Sequence, residues 1–411
     1  MLCQVFKRHS QIQRFNKKTI KQFVLIKKSV LIGIPVLNIG GTEIQTLSLV
    51  RVLLSAGYQI TIYCYYEFNE SMVYQMERTG AKVILMKLKR SNGILSLMIK
   101  LRRLFNELQP DIVHIQYIAP GLVPIIAARL SGIKTIFATV HQPGRPYGWK
   151  PKLLIRIASH LCTAFFCNSR AVEKSWFGDG EIFNPEKIDS KRKHFTIYNA
   201  VDICKIERIV KEADTEKIKE SLGISNKRVI GVVGRLRSEK GHPVLLNAMG
   251  DIIKVLPDSV LLIVGDGPDR VHLEEMAKEL GIHGYVKWLG QRDPDEVVEL
   301  YGIMDVVAVP SLFEGFGLTA AEAMAAGRPV VASKVDGLME VIRDGLNGLF
   351  VSPGDSQAVA RAILELLLNP EKAASMGARG RQLVVNEFSL ERFQSAILAA
   401  YAHYASRPDK P

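Results

Sequence analysis

At 411 residues the chain has room for two to three domains of ordinary size, and its 47% apolar content is enough to fill their cores, which excludes a disordered chain. Five cysteines (Cys3, Cys64, Cys162, Cys167, Cys204), odd in number and without a C-x-x-C pair, exclude a disulfide framework and a cysteine zinc site and fit a reducing compartment. The net charge of +13 gathers in two acid-free stretches, eight Lys/Arg in residues 1–28 and six between Lys87 and Arg103, yet no nucleic-acid module accompanies them and only 8% of residues are aromatic, which argues against a nucleic-acid partner.

Residues 1–28 read as a basic extension. The apolar stretch from Phe23 to Leu37 is broken by Lys27, Lys28 and Pro35, so it predicts neither a membrane span nor a cleaved signal peptide. Ser29–Pro35 then reads as a buried strand, Gly40-Gly41 as a turn, and Thr42 as the cap of a helix running to about Ala56, where Gly57 stops it. Strands follow at Gln59–Tyr65, Lys82–Met86, Ile112–Gln116, Thr135–Val140 and Ala164–Asn168, with helical patterns between. Within that series Lys87, Lys89, Arg90, Lys100, Arg102 and Arg103 interleave with Ile94, Leu95, Leu97, Met98, Ile99, Leu101, Leu104 and Phe105, the pattern of a basic amphipathic helix that suits an anionic membrane surface. His141 follows a strand and precedes the loop Gln142-Pro143-Gly144-Arg145, which puts it at a cleft edge; His114 falls inside a strand and reads as core.

A seam lies near Tyr198-Asn199-Ala200-Val201-Asp202, followed by one charged helix from Lys205 to Leu222. The alternation then restarts. Strands are expected at Arg228–Val233, Ser259–Val264, Val286–Leu289, Val306–Val309, Val330–Ala332 and Leu349–Val351. Helices are expected at about Pro243–Val255 and Asp269–Leu280, and then at about Ser356–Leu368, Glu371–Glu387 and Ser389–Ala405. Alternation of this kind predicts an α/β chain with two facing doubly wound, Rossmann-like domains and a ligand cleft at the carboxyl ends of their strands.

Three turns in the second half carry chemistry. Gly234-Arg235-Leu236-Arg237-Ser238-Glu239-Lys240-Gly241 follows the first strand of its domain, and Arg235 and Lys240 suit two cations clamping a pyrophosphate, with Arg237 and Glu239 as a surface pair. Gly265-Asp266-Gly267-Pro268 reads as a backbone wall of a nucleotide pocket, although the third glycine of a dinucleotide fingerprint is missing. In the stretch from Phe313 to Gly327, Gly315 and Gly317 allow close backbone approach, Glu314 lies in a loop, and Glu322 is the one charge on an alanine-rich helix, so it is expected to meet a polar partner. Asp293-Pro294-Asp295 is a D-x-D string. Its position between strand and helix makes Asp293 an N-cap and Pro294 the first helical residue, so no metal site is read there. Walker, kinase and Ser-His-Asp signatures are missing.

These residues resemble those of the retaining glycosyltransferases of family 4, which have the GT-B fold. The segments that carry the resemblance are Gly40-Gly41-Thr42-Glu43, His141, Cys167-Asn168-Ser169, Tyr198 to Asp202, Gly234-Arg235-Leu236 with Glu239-Lys240-Gly241, Gly265 to Pro268, Glu314 to Glu322, Gly327 to Ser333, and Gly337 to Glu340 with Gly345, Asn347 and Gly348. Ala200 stands where the family often has glycine, and Gln142 follows His141 where a second His or Asp is common. The resemblance implies a metal-independent, cofactor-free transferase moving a sugar from a UDP- or GDP-sugar to a saccharide or lipid-linked saccharide. It implies His141, Arg235, Lys240 and Glu314 as catalytic residues. Gly40, Gly41, Gly265, Gly267, Gly315, Phe316, Gly317, Leu318 and Glu322 would line the substrates. It also implies an acceptor-side domain at 29–200, completed by the helix at 389–405, and a donor-binding domain at 201–388. With the basic segments, the expected setting is the cytoplasmic face of a membrane and the expected process is surface polysaccharide or glycolipid synthesis. A nucleotide-sugar epimerase of similar fold or an inactive scaffold is the alternative. The Glu314/Glu322 pair speaks against the first, and the retained Arg235 and Lys240 speak against the second.

Overall fold

The computed structural model describes residues 28–117, 122–187 and 192–405. The basic extension, apart from Lys28, lies outside the described residues.

Two all-parallel sheets organise the chain. The first contains β1 (Ser29–Ile34), β2 (Gln59–Cys64), β3 (Lys82–Leu85), β4 (Ile112–Tyr117), β5 (Thr135–Val140), β6 (Ala164–Cys167) and β7 (His194–Thr196), in the order β3-β2-β1-β4-β5-β6-β7. The second contains β8 (Arg228–Val233), β9 (Ser259–Val264), β10 (Val286–Gly290), β11 (Val306–Val309), β12 (Val330–Ser333) and β13 (Leu349–Val351), in the order β10-β9-β8-β11-β12-β13. Strands such as Ser259–Val264, buried along their whole length, are unbroken apolar runs because helices cover both faces. In each sheet the chain first winds one way and then the other. The reversal opens a crevice at the carboxyl ends of β1 and β4, and of β8 and β11, where ligands of doubly wound sheets bind.

The helix Leu390–Ala405, last of the described elements, leaves the second domain and packs on the first. Phe393, Ile397, Tyr401 and Tyr404 share a core with Ile32, Ile62 and Phe137, and the Tyr401 hydroxyl lies 2.7 Å from His114 Nδ1. The chain therefore crosses between domains twice. The crossings touch: Val201 N–H donates to Phe388 O at 2.9 Å. Gln45 fixes the first crossing to the first domain with a pair of bonds to the Ala200 backbone, 2.7 and 3.0 Å.

Two local expectations are corrected. Thr42 does not cap its helix: Gly40 is the N-cap of Gly41–Ser55, and its carbonyl accepts from Ile44 N–H at 3.0 Å. The single helix expected from Lys205 to Leu222 is two, Ile203–Glu212 and Thr215–Leu222. Asp214 breaks it by accepting from Lys217 N–H at 3.1 Å, as Asp202 does from Lys205 N–H at the start of the first.

Candidate active site

The loop after β8 and the loop after β11 flank the crevice of the second sheet. The buried Leu236 pins the first loop, and Leu312 N–H donates to Glu239 O at 2.8 Å, tying it to the second. Lys240 Nζ lies 2.7 Å from Glu314 Oε2, which also accepts from Ser311 Oγ at 3.3 Å. Arg235 is exposed and faces Glu43 of the first domain, a buried carboxyl pushed up to about 6 by desolvation and partly restrained by that guanidinium. No ion pair joins Arg237 to Glu239 among the described residues, so that expected surface pair does not form.

Glu322 lies in helix Leu318–Ala325. Burial drives its carboxyl up to about 7, against a lowering contribution from the Tyr301 hydroxyl 3.3 Å away. Tyr301 is fully buried and has no freedom to turn away. A carboxyl raised to about 7 and set past the first turn of its helix can accept hydroxyl hydrogen bonds in its ionised form.

The glycines explain how the walls fit. A side chain on Gly265 would meet Gly234 O at 2.0 Å, and one on Gly267 would meet Leu236 O at 2.3 Å, so the second turn supports the cation loop backbone to backbone. A Cβ on Gly315 would meet His141 O at 2.0 Å, and one on Gly41 would approach Leu318 Cδ1 at 3.0 Å. These are contacts across the cleft. The first domain thus brings Gly40-Gly41 and His141 against the Gly315–Leu318 turn. Gly317, with φ of 96°, heads the helix in a left-handed conformation that favours glycine.

His141 is buried, and its Nε2 lies 2.8 Å from Gln116 Oε1, which assigns the proton to Nε2 and leaves Nδ1 as a buried acceptor without a partner. Burial lowers the imidazole to about 4, so the ring is neutral at pH 7. Phe316 corrects the expected lining: its side chain is buried 5.1 Å from the Phe388 ring and 6.1 Å from Tyr198, beneath the domain crossing, and only its backbone faces the turn.

Sequence reasoning gave no role to Glu43, Gln116, Tyr198 or Glu340. Gln116 had a usable signal, since it ends the strand beside the one that delivers His141. Glu340 was marked only as part of a segment that carries the resemblance: its carboxylate accepts from Ala171 N–H at 2.6 Å, from Arg170 N–H at 3.2 Å and from the Tyr198 hydroxyl at 2.5 Å, capping a helix of the other domain. Ser169 Oγ donates to Gly315 O at 2.6 Å, and Arg145 pairs with Asp336 at 3.1 Å, along the same edge.

Asp293 precedes helix Pro294–Ile303, and its N–H donates to Glu296 Oε2 at 2.9 Å, while Asp295 pairs with Lys205. One acidic group among the described residues has metal-like spacing, Glu173, Asp179 and His194. The Arg192 guanidinium already fills it, 2.8 Å from Glu173 and 2.9 Å from Asp179.

Two doubly wound domains of like strand order, meeting where Gly315 packs on the His141 carbonyl and Gly41 on Leu318, have the architecture of the GT-B class of protein. Residues 39–203 match the model described as Glycosyltransferase Family 4, and residues 214–383 match that of Glycosyl transferases group 1. The N-acetyl-alpha-D-glucosaminyl L-malate synthase of Bacillus anthracis is 30% identical over 297 residues, 71% of this chain and 74% of that protein. The chain belongs to glycosyltransferase family 4. A D-inositol 3-phosphate glycosyltransferase of Corynebacterium urealyticum is 38% identical over 207 residues, 48% of this chain and 49% of that protein, so the chain spans about half the length of such curated relatives. Among solved structures, Anabaena HepE in complex with UDP-glucose superposes with a TM-score of 0.76 at 22% identity, covering 91% of this chain and 99% of that one. WaaG, a glycosyltransferase involved in lipopolysaccharide biosynthesis, gives 0.69 at 16% identity, covering 90% and 98%.

Proposed function

We propose that the chain is a retaining glycosyltransferase that takes a sugar from a nucleoside diphosphate donor without a metal ion. The observation that carries this reading is the Lys240–Glu314 pair, with Lys240 in the same loop as the Arg235 that faces Glu43, at the crevice where the sheet reverses and where His141 approaches from the other domain. An arriving diphosphate draws Lys240 from Glu314. The ammonium then joins Arg235 on the phosphates, and the freed carboxylate accepts from sugar hydroxyls. Glu322 accepts from the ribose diol, and His141 Nδ1 accepts from a donor-sugar hydroxyl. As the glycosidic bond breaks, charge grows on the departing diphosphate. Arg235, Lys240 and the head of helix Leu318–Ala325 stabilise it in place, an effect worth roughly 3–4 kcal/mol per donor group.

We also propose that the acceptor is lipid-linked and that the first domain rests on an anionic membrane surface. Helix Gly93–Leu108 leaves Ile94, Leu95 and Ile99 exposed beside Lys100, Arg102 and Arg103, with Leu95 79% accessible. A second helix, Trp149–Leu161, exposes Trp149, Leu153, Leu154 and Ile157 beside Lys150 and Arg156. Both bury their other sides in one core, through Leu101 and Phe105 and through Ile155 and Ala158, so they cover the same face of the first sheet. Among the described residues no helix is long and apolar enough to cross a membrane.

The test is a donor panel. The protein is incubated with UDP- and GDP-sugars in excess EDTA, with and without a total lipid extract as acceptor source, and released nucleoside diphosphate is measured. The complex named for the Anabaena neighbour makes UDP-glucose the first donor to try. Release that is stimulated by lipid and indifferent to EDTA is expected. Donor binding with no release would make the chain a scaffold, and release that requires added Mn²⁺ or Mg²⁺ would overturn the metal-free reading.

A further inference from the structure

The second sheet has another cavity at its opposite edge. The start of β8 at Arg228, Asp305 before β11, and Gly327-Arg328-Pro329 before β12 meet the helices Ser356–Leu368 and Pro370–Glu387 around a space of about 720 Å³. Three arginines line it, Arg228, Arg328 and Arg381, against one carboxylate, Asp305, which already accepts from Val229 N–H at 2.7 Å. Arg381 is held by Glu207 at 2.6 Å. Arg228 and Arg328 form no ion pair among the described residues.

Arg328 is the unusual member. Its Nη1 donates to Met304 O at 3.2 Å, while its Nε is buried without a partner. A buried donor left unpaired is costly, and more so on a charged group. An arginine remains charged even where burial lowers its proton affinity, as it does here. Asp305 offsets part of the Arg328 charge, but an acceptor oxygen in the cavity would satisfy the Nε–H, and an anion would balance the excess of guanidiniums over that one carboxylate. Apart from Gln382 the remaining wall is apolar, with Leu366, Leu367 and Val385, so the space also takes a short hydrocarbon portion. Arg328 follows directly on the end of helix Leu318–Ala325, whose head faces the donor crevice, and its N–H donates to Ala323 O at 2.9 Å. The two sites therefore lie at opposite ends of one helix.

We propose that this cavity is a second anion site that binds a phosphate group through Arg228 and Arg328, separate from the donor crevice. The phosphate is either free or carried on a small apolar alcohol, and the two sources are separable. Binding of inorganic phosphate and of hexyl phosphate is followed by calorimetry on the full chain, with UDP saturating the donor crevice, and is repeated in Arg235→Ala. Saturable binding that survives both conditions is expected. Arg328→Met should weaken it roughly tenfold, the loss of one charge-assisted hydrogen bond. Arg228→Met should weaken it as well. Arg228 is exposed and unpaired, so this variant decides the matter if Arg328→Met fails to fold. Tighter binding of hexyl phosphate identifies an ester as the ligand, and equal binding identifies the free anion. No binding under saturating UDP, or binding indifferent to Arg228→Met, would overturn the proposal.

Discussion

The Lys240 ammonium and the Glu314 carboxylate compensate each other in the free chain, so removing either changes the charge of the crevice as well as a contact. Arg235→Ala and Lys240→Ala should each lower turnover by about 100-fold or more while the melting temperature stays near that of the parent. Lys240→Arg should also be impaired, because a rigid fork does not replace a point charge. Full activity in both alanine variants, in steady-state assays with melting curves beside them, would refute the clamp. Glu322 gives a prediction with a sign. Its carboxyl binds a proton more tightly in the native chain, at about 7, than at the ordinary 4.5 of the unfolded one, so native stability falls as pH rises through that window. Glu322→Gln should therefore melt higher than the parent above pH 7, yet raise the donor KM roughly tenfold. The parent's donor KM should rise as pH drops below 7, and the variant's should not. Lower stability of the variant at pH 8 would sink the assignment. The loops that carry Arg235, Lys240 and Glu314 could be placed from the sequence because each follows a strand end, β8 or β11. Phe316 misled because a motif position does not tell side chain from backbone, and its ring was needed under the crossing.

At the scale of elements, a helix of one domain is finished by a side chain of the other. Arg170–Phe177 has its own cap, Ser169 Oγ accepting from Val172 N–H at 3.1 Å, and Glu340 satisfies two further N–H groups from across the cleft. Hydrogen bonds to a charged group contribute about 1.5–3 kcal/mol, so Glu340→Ala should loosen the domain contact. Small-angle scattering should show a larger radius of gyration and calorimetry a weaker donor affinity, while each domain keeps its helical signal. An unchanged radius would show that Glu340 does not hold the domains together. The expected strands lie within a residue or two of the observed ones, since unbroken apolar runs admit little else, but the three-residue β7 (His194–Thr196) was missed because it is too short for a pattern. The break at Asp214 was not legible, because only its side chain, accepting from Lys217 N–H as the cap of the second helix, reveals that there are two.

For the whole molecule, the two-domain plan was visible as an alternation that stops and restarts, whereas pairing across the cleft depends on contacts that no local pattern encodes. The surface proposed to meet a membrane shows the difference. One amphipathic helix was evident from its charges, but Trp149–Leu161 gained meaning only once it lay over the same sheet face. Binding to vesicles should rise with anionic lipid and fall with salt, each basic residue being worth on the order of 1 kcal/mol near the surface. Changing Lys100, Arg102 and Arg103 to Glu should weaken binding without altering donor affinity. Trp149 should shift its emission to the blue on binding, and a Trp149→Phe variant should lose that signal, since Trp176 is already buried and the half-buried Trp288 lies in β10 of the other domain. Indifference to anionic vesicles at low salt would favour a soluble acceptor.

The return of Leu390–Ala405 to the first domain has a consequence for synthesis. The first domain is translated first, but Phe393, Ile397, Tyr401 and Tyr404 emerge only after every strand of the second sheet. A nascent chain arrested before residue 389 leaves an apolar strip of the first domain open to water, beside a second domain that already has all of its own strands. Limited proteolysis of such arrested chains should spare the later half and cut the earlier one, the reverse of the order in which they leave the ribosome.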